Sequence, residues 1–353
     1  MDLIGTGRRA FKRGPTVAVA AVMAAAAISA CGGSSTASST TSNAAATIST
    51  AAGSSTSTTA SGASYTLNVG FIGTTGVLTG PEGFAYSKGL LQKWLAADGI
   101  SAIHPAQFAN GPLLTAAMIG GSLDLGIVGD TPALIANSHG LPAKLINQDE
   151  VGLPAWIVAR KGITSLTQLA GQTVTRPQGS YMDRYLQGVL ANDGLTSKVH
   201  LTAMLLPEGI PAVESGALAA IALPAWDAAP IIAKGGIALA KSETTPDIEG
   251  TGVTIATNSV LSAHPNVATI WDSVRLKAIA YATANASAFY AFEAKSEGIK
   301  SVAAAQQFLP LSVYPAASYT SAGLATLQKT LDFLVSEKEA SAFSIDAWKA
   351  PGS

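Results

Sequence analysis

GSLDLGIVGDTPALIA, residues 121–136, carries the signal that sorts the fold. Its apolar run from Leu123 to Val128 reads as a buried strand. Gly129-Asp130-Thr131 then turns the chain into a helix. Thr131 stands at the cap and Pro132 at the first helical position, where a missing N–H costs nothing. A strand that opens directly into a helix start is the repeating unit of α/β proteins. The same punctuation recurs on both sides. Toward the N-terminus, Pro112 to Ile119 reads as a helix, Ile103 to Phe108 as a weak strand, and Phe84 to Ala97 as a helix closed by Gly99. Thr66 to Ile72 reads as the first strand. Toward the C-terminus, Ala143 to Ile146 and Ala155 to Ala159 are further strands.

A second series begins near Lys161. Strands at Thr173 to Thr175, His200 to Leu205, Ala217 to Leu223 and Ile237 to Ala240 alternate with helices at Ser180 to Asn192 and Asp227 to Lys234. Gly252 to Thr257 reads as a strand that carries the chain back. From Ser259 onward the periodicity is helical, over 266–292, 299–308 and 321–337. The pattern predicts an α/β protein with largely parallel sheets and a helical C-terminal part. It falls into two lobes, 65–160 with 252–353 as lobe 1 and 161–251 as lobe 2. Two crossings between them make a hinge, and a ligand would sit between the lobes.

The 64 residues before this body differ in kind. Arg8, Arg9, Lys12 and Arg13 precede an almost purely Ala, Val and Met run, and small residues lead to Cys31, the only cysteine in 353 residues. A basic start, an apolar stretch too short to span a bilayer and a small-residue cut describe a secretory signal over 1–30. The arginine pair is also compatible with twin-arginine export. A thiol just after the cut is placed for lipid attachment; a plain secreted chain with a stray cysteine is the alternative. Residues 31–64 are nearly all Ser, Thr, Ala and Gly and read as a flexible tether. With one cysteine, disulfides within the chain are excluded. Charged residues are sparse, 12%, and no basic patch is interleaved with aromatics, so nucleic acid is not an expected partner.

Three loops join a strand's end to a helix's start, where unpaired N–H groups and the positive end of the dipole can hold an anion without Lys or Arg. Gly73-Thr74-Thr75-Gly76 adds two hydroxyls; a plain glycine-rich loop is the competing reading. Gly129-Asp130-Thr131-Pro132 leaves room at Gly129, or is simply a well-capped helix. Asp130 would repel an anion unless it turns away to tie the loop or pairs with an amine on the ligand. Arg176-Pro177-Gln178-Gly179-Ser180 offers a charged fork in Arg176 and, with Ser180 and Asp183, a capping box; a surface arginine is the alternative. Trp226, after another strand, could wall a pocket or fill the core.

These pieces resemble the solute-binding lipoproteins of ABC importers, in particular the aliphatic sulfonate, nitrate and taurine binding group with the type II periplasmic-binding fold. The resemblance is carried by QFANGPLLTAAM (107–118), the 121–136 stretch, WIVAR (156–160) with LTQLAGQTV (166–174), and Gly179-Ser180 opening a helix that ends at Asp193-Gly194-Leu195. It implies that Gly129 to Pro132 and Ser180 line an anion site, joined by Thr74 and Thr75. It also implies a permease partner and an extracytoplasmic, lipid-anchored location. Two features depart from the group. The usual Trp-Asp-Pro-Tyr is here Trp226-Asp227-Ala228-Ala229, and the usual Gly-x-Val-Asp-Ala is Gly216-Ala217-Leu218-Ala219-Ala220.

No catalytic grouping stands out. There is no Gly-x-Ser-x-Gly elbow, no His-Glu-x-x-His and no phosphate-binding Gly-x-x-x-x-Gly-Lys run. His104, His139, His200 and His264 have no metal-ligand spacing, and no cofactor is implied. Asp149-Glu150 reads as a solvated loop, since neighbours on a chain rarely face one site. The expectation is therefore a non-enzymatic capture protein for a small organic anion, lined by Thr74, Thr75, Gly129, Asp130, Thr131, Arg176, Ser180 and Trp226. Two alternatives are a binder of a neutral heterocycle, such as a thiamine-precursor pyrimidine, and a secreted hydrolase.

Overall fold

The computed structural model describes residues 64–244 and 249–352. The signal segment, Cys31 and all but the last residue of the tether lie outside the described residues.

The described chain builds two five-stranded sheets. The first is made by β1 (Tyr65–Ile72), β2 (Ile100–Phe108), β3 (Leu125–Gly129), β4 (Ala143–Leu153) and, from late in the sequence, β10 (Gly250–Thr257). Its order is β2-β1-β3-β10-β4. The second sheet takes β5 (Ala155–Ala159), β6 (Thr173–Arg176), β7 (His200–Ala203), β8 (Ala220–Pro224) and β9 (Ile237–Lys241), in the order β7-β6-β8-β5-β9. In each sheet four of the five strands point the same way. The fourth position is held by the strand that arrives from the other lobe: β10 is antiparallel to β3 and β4, and β5 is antiparallel to β8 and β9.

Helices cover both faces of the first sheet. They are α1 (Gly80–Ser87), α2 (Leu90–Ala97), α3 (Gly111–Ile119), α4 (Asp130–Ser138) and, after β10, α8 (Asn258–Ala263) and α9 (Val267–Ala284). One face buries Leu67, Val69, Leu91, Leu95, Trp271 and Val274 together. The other buries Leu114, Met118, Val128, Leu134, Val253 and Ile255 under α12 (Ser321–Ser336) and α13 (Ile345–Trp348). Close packing of α3 depends on glycine: a Cβ at Gly126 would meet the Met118 sulfur at 2.7 Å and Leu114 at 2.8 Å. The second sheet is covered on one face by α5 (Tyr181–Asn192), through Tyr185, Leu186 and Leu190. On its other face, α6 (Leu206–Glu214) and α7 (Ala229–Ala233) supply Val213 and Ile231.

Two expectations about the lobes change. The strand Ala155–Ala159, assigned to lobe 1 by sequence, pairs with β8 and β9 in the second sheet. The first crossing thus falls between Leu153 and Ala155, where β4 ends, and not at 160. The C-terminal helices are also shared between the lobes. After α10 (Ala286–Ser296), the chain passes to the second sheet, where Ile299, Ala305 and Leu309 around α11 (Val302–Phe308) join its core. It then returns, and Val313 and Tyr314 pack with Phe84 and Phe289. The chain therefore passes between the two sheets more often than the two crossings that periodicity revealed. The sheets are largely parallel, as expected, except that the one crossing strand in each runs against both of its neighbours.

Periodicity found the amphipathic stretches and missed their interruptions. The helix expected over Phe84 to Ala97 is two helices, broken at Gly89, which adopts φ +70. The one expected over 266–292 is broken at Asn285.

Candidate functional site

A cleft of about 400 Å³ lies between the two sheets and draws its lining from both. The first lobe contributes Gly73 and Thr74 from the β1–α1 loop, Asn110 and Gly111 at the start of α3, and Gly129 at the end of β3. The second contributes Ser180 and Tyr181 at the start of α5, Ile210 on α6, and Trp226 in the turn after β8. Thr74, Asn110, Ser180 and Trp226 follow the C-terminal ends of strands, where open sheets place their ligands.

Four of the eight residues singled out from sequence meet there: Thr74, Gly129, Ser180 and Trp226. The other four are engaged elsewhere. Thr75 donates its hydroxyl hydrogen bond to the Ser296 carbonyl, pinning the β1–α1 loop to the end of α10. Asp130 is fully buried beneath the cleft. Its carboxylate accepts from the Thr131 hydroxyl at 2.9 Å, the Thr251 N–H at 3.2 Å and the Thr330 hydroxyl at 3.3 Å, with the Arg184 guanidinium 3.6 Å away. It ties the first lobe to a second-lobe helix and to the returning strand, the turned-away role that sequence left open. Thr131 does not cap: the helix begins two residues earlier than expected, at Asp130 with Gly129 at the cap position, and the Thr131 N–H donates to the Asp130 carboxylate. Arg176 does not reach the cleft, because its guanidinium donates to Asp183 at 2.7 Å.

Ser180 caps α5 as expected, accepting from the Asp183 N–H at 3.2 Å, while its own hydroxyl donates to the Pro177 carbonyl. The reciprocal arm is displaced by one residue, with the Asp183 carboxylate accepting from the Gly179 N–H at 2.8 Å.

What sequence missed is the cleft's charge. Glu82 on α1, Asp149 and Glu150 on β4, Asp227 beside Trp226, and Glu297 just past α10 all line it, and no Lys or Arg does so. The Asp149-Glu150 pair is not a solvated loop. It lies in β4, and Asp149 is only 7% exposed. Alternation should send adjacent strand residues to opposite faces. Here Gly252 pairs with Glu150 and Val253 with Gln148, so Asp149 is an extra, bulged residue. The bulge re-aims the pair, and both carboxylates reach the cleft. Gly252 leaves room for them, since a Cβ there would lie 2.9 Å from a Glu150 carboxylate oxygen. A local signal did exist for Asp227, which directly follows the tryptophan singled out as a wall.

Burial raises every one of these carboxyls, and neighbouring like charges add to it at all of them but Glu297. Burial pushes Glu82 well above the usual carboxylate range, and the Asp149 charge adds to this. Asp149 is pushed up to about 6 by burial, with Arg275 opposing. Glu150 is raised well above its ordinary value by burial, then by Asp149, Glu297 and Glu293. Burial followed by the Glu297 charge takes Asp227 to about 7. Glu297 is raised by burial, partly offset by a hydrogen bond with Thr79. The cation whose charge reaches Glu82 and Asp149 is committed elsewhere: Arg275 donates to Asp272 at 3.0 Å and to the Pro315 and Ala317 carbonyls. Among the described residues, no three His, Cys, Asp or Glu side chains are grouped to hold a metal ion.

The same two-sheet architecture recurs in the periplasmic aliphatic sulfonate binding protein SsuA of Escherichia coli. The match covers 81% of this chain and 97% of that one at a TM-score of 0.65, with 20% identity. This chain has the fold of a periplasmic binding protein. The alkanesulfonate-binding protein SsuA of Xanthomonas axonopodis pv. citri, solved with MOPS, matches over 79% and 96% at a TM-score of 0.65 and 19% identity. The desulfurization enzyme DszB, solved as a mutant in complex with biphenyl-2-sulfinic acid, also shares the fold, with 15% identity over 81% and 97% at a TM-score of 0.62. Fold alone thus does not separate carrier from catalyst. In sequence, a Brucella abortus protein whose name gives it a binding role and no ligand is 31% identical over 111 residues. That match spans 31% of this chain and 33% of the relative, so the chain matches about a third of that protein's length. No family model matches the chain.

Proposed function

We propose that this protein is the extracytoplasmic solute-binding component of an ABC importer, which captures a small organic solute between its two lobes and delivers it to a permease. The observation that carries the reading is the cleft itself: one cavity, lined by both sheets and flanked by chain passages that can act as a hinge. Its architecture is that of proteins named for the sulfonates they bind. Among the described residues no helix is long and apolar enough to cross a membrane. Within this reading, attachment to the membrane rests on Cys31, whose place after the apolar run suits a lipid anchor.

Within this reading the sequence favours an anionic head group, held by N–H groups and hydroxyls around Thr74, Gly129 and Ser180. The lining gives a specific reason to weigh another ligand chemistry, because five carboxyls share the cleft and no cation does. A capture protein binds and does not turn over. Incubating the purified protein with generic esters and phosphomonoesters is expected to release no product, and steady turnover would assign it to catalysis instead. Capture is checked by melting the protein against a panel of solutes of every charge class. A true ligand at 100 times its Kd adds roughly 2.7 kcal/mol to the folded state. It should also quench or shift the emission of Trp226, a response that Trp226→Phe removes while the melting shift persists.

A further inference from the structure

We infer that the solute held between the lobes is an organic cation, an ammonium or amidinium group on a compact apolar body. Glu82, Glu150, Asp227 and Glu297 would surround its charge. The inference rests on the capture reading and specifies its ligand.

The first support is geometric. The carboxylates come from both lobes and from distant parts of the chain: α1, the bulged β4, the turn after β8 and the end of α10. No surface accident brings such groups together, and the bulge at Asp149 and the missing side chain at Gly252 accommodate them. The second support is independent of charge counting. Glu82 is only 3% exposed, lines the cleft, and its Oε1 accepts no hydrogen bond. Tyr181, 8% exposed, also faces the cleft with its hydroxyl unpartnered. Buried polar atoms are seldom left without partners, so an orphan acceptor facing a cavity asks for a donor on the ligand.

The protein's own arginines leave this role open, because Arg176, Arg184 and Arg275 are paired with Asp183, Asp130 and Asp272. The head-group donors expected for an anion are also spent in part, since the Ser180 hydroxyl donates to Pro177. A metal ion fits less well, because the acidic side chains are not gathered into a coordinating set. An organic cation with several N–H donors can instead reach carboxylates spread around a cavity of about 400 Å³. Its body would rest on Phe71, Leu78, Leu153, Trp226 and Leu309, and the Trp226 face could also meet the charge.

Titration gives the inference a signature. A cation binds the ionised carboxylates, so its uptake expels protons and its affinity rises with pH. The groups concerned are mutually facing. Asp227 is faced by Glu297; Asp149 by Arg275 and Asp272; and Glu150 by Asp149, Glu82, Glu293 and Glu297. Asp227, at about 7, ionises within the range from pH 5.5 to 8, so the affinity rises across it. An anion would show the opposite slope.

The test is a melting and calorimetric screen of the purified protein at pH 5.5 and 8. The cationic probes are benzamidine, 2-phenylethylamine, choline and putrescine. Benzenesulfonate and nitrate serve as anions, 2-phenylethanol and pyrimidine as neutral probes, and zinc chloride as the metal. At least one cationic probe should bind, at least tenfold more tightly at pH 8 than at pH 5.5. Glu150→Gln and Asp227→Asn should each weaken it tenfold or more without lowering the melting point of the ligand-free protein. If only sulfonate, nitrate, a neutral probe or zinc binds, capture stands and the cation is overturned. If no probe of any class binds, the capture reading and the cation both fall.

Discussion

Asp130 shows why a residue's chemistry is read only when its surroundings are known. In sequence it stands at a helix start, in the loop of an expected anion site. In the fold it is fully buried and holds together β3–α4, the Thr251 N–H, Thr330 and Arg184. Removing one partner from a buried charge pair leaves the other uncompensated, at a cost of roughly 3–5 kcal/mol. Asp130→Ala should therefore lower unfolding stability by about that amount in a urea titration, and a change below about 1 kcal/mol would deny the knot its structural role. The residues that sequence placed well were those whose surroundings are local. Ser180 caps the helix that it immediately precedes. Trp226 and Thr74 sit in loops at strand ends, which the strand–helix alternation already located. Arg176 was misread because its partner, Asp183, competes for the guanidinium from the first turn of the next helix, and local pattern cannot say which neighbour wins.

At the level of elements, β4 and β3 show what periodicity can and cannot reveal. The alternation of apolar residues identified nearly every strand. It could not reveal the bulge at Asp149, because an extra residue leaves no mark until the partner strand β10 is in place, about 100 positions later in the chain. The acidic character of the cleft was hidden for the same reason: alternation assigns Asp149 and Glu150 to opposite faces. Ala155–Ala159 illustrates a different limit. Its apolar run fixes it as a strand, yet only pairing with β8 and β9 assigns its sheet. Packing within the first lobe leads to a sharp expectation. Gly126 on β3 faces Met118 and Leu114 so closely that even a methyl group would need them to move. Gly126→Val should cost at least the roughly 1–3 kcal/mol typical of overpacking, seen as a lower chemical-denaturation midpoint with an unchanged slope. A neutral outcome would mean that α3 can slide away from the sheet.

Across the whole molecule, the cleft's crowded carboxyls set how stability responds to pH. Each has a folded-state pKa above its unfolded value, so the native protein binds more protons than the unfolded chain through the acidic and neutral range. Stability is then highest at low pH within this range and declines as pH rises through the raised values. For Asp149 and Asp227 the window runs from about pH 4, where the unfolded carboxyls ionise, to about 6 and about 7, where the folded ones do. One pKa unit corresponds to about 1.4 kcal/mol, and mutual coupling shrinks the simple sum, so a net loss of about 3 kcal/mol between pH 5 and pH 8 is expected for the ligand-free protein. Most soluble domains instead gain stability across the lower part of this range, as native carboxylates ionise beside their partners. Glu150→Gln combined with Asp227→Asn should flatten the profile, because two of the crowded groups can no longer ionise. A ligand that supplies the missing positive charge should flatten it as well, since it favours the ionised carboxylates only in the folded state. Melting curves from pH 5 to pH 8, with and without the best cationic probe, read both effects. A ligand-free protein that grows steadily more stable toward pH 8 would show that the cleft's carboxyls are solvated and ionise at their ordinary values.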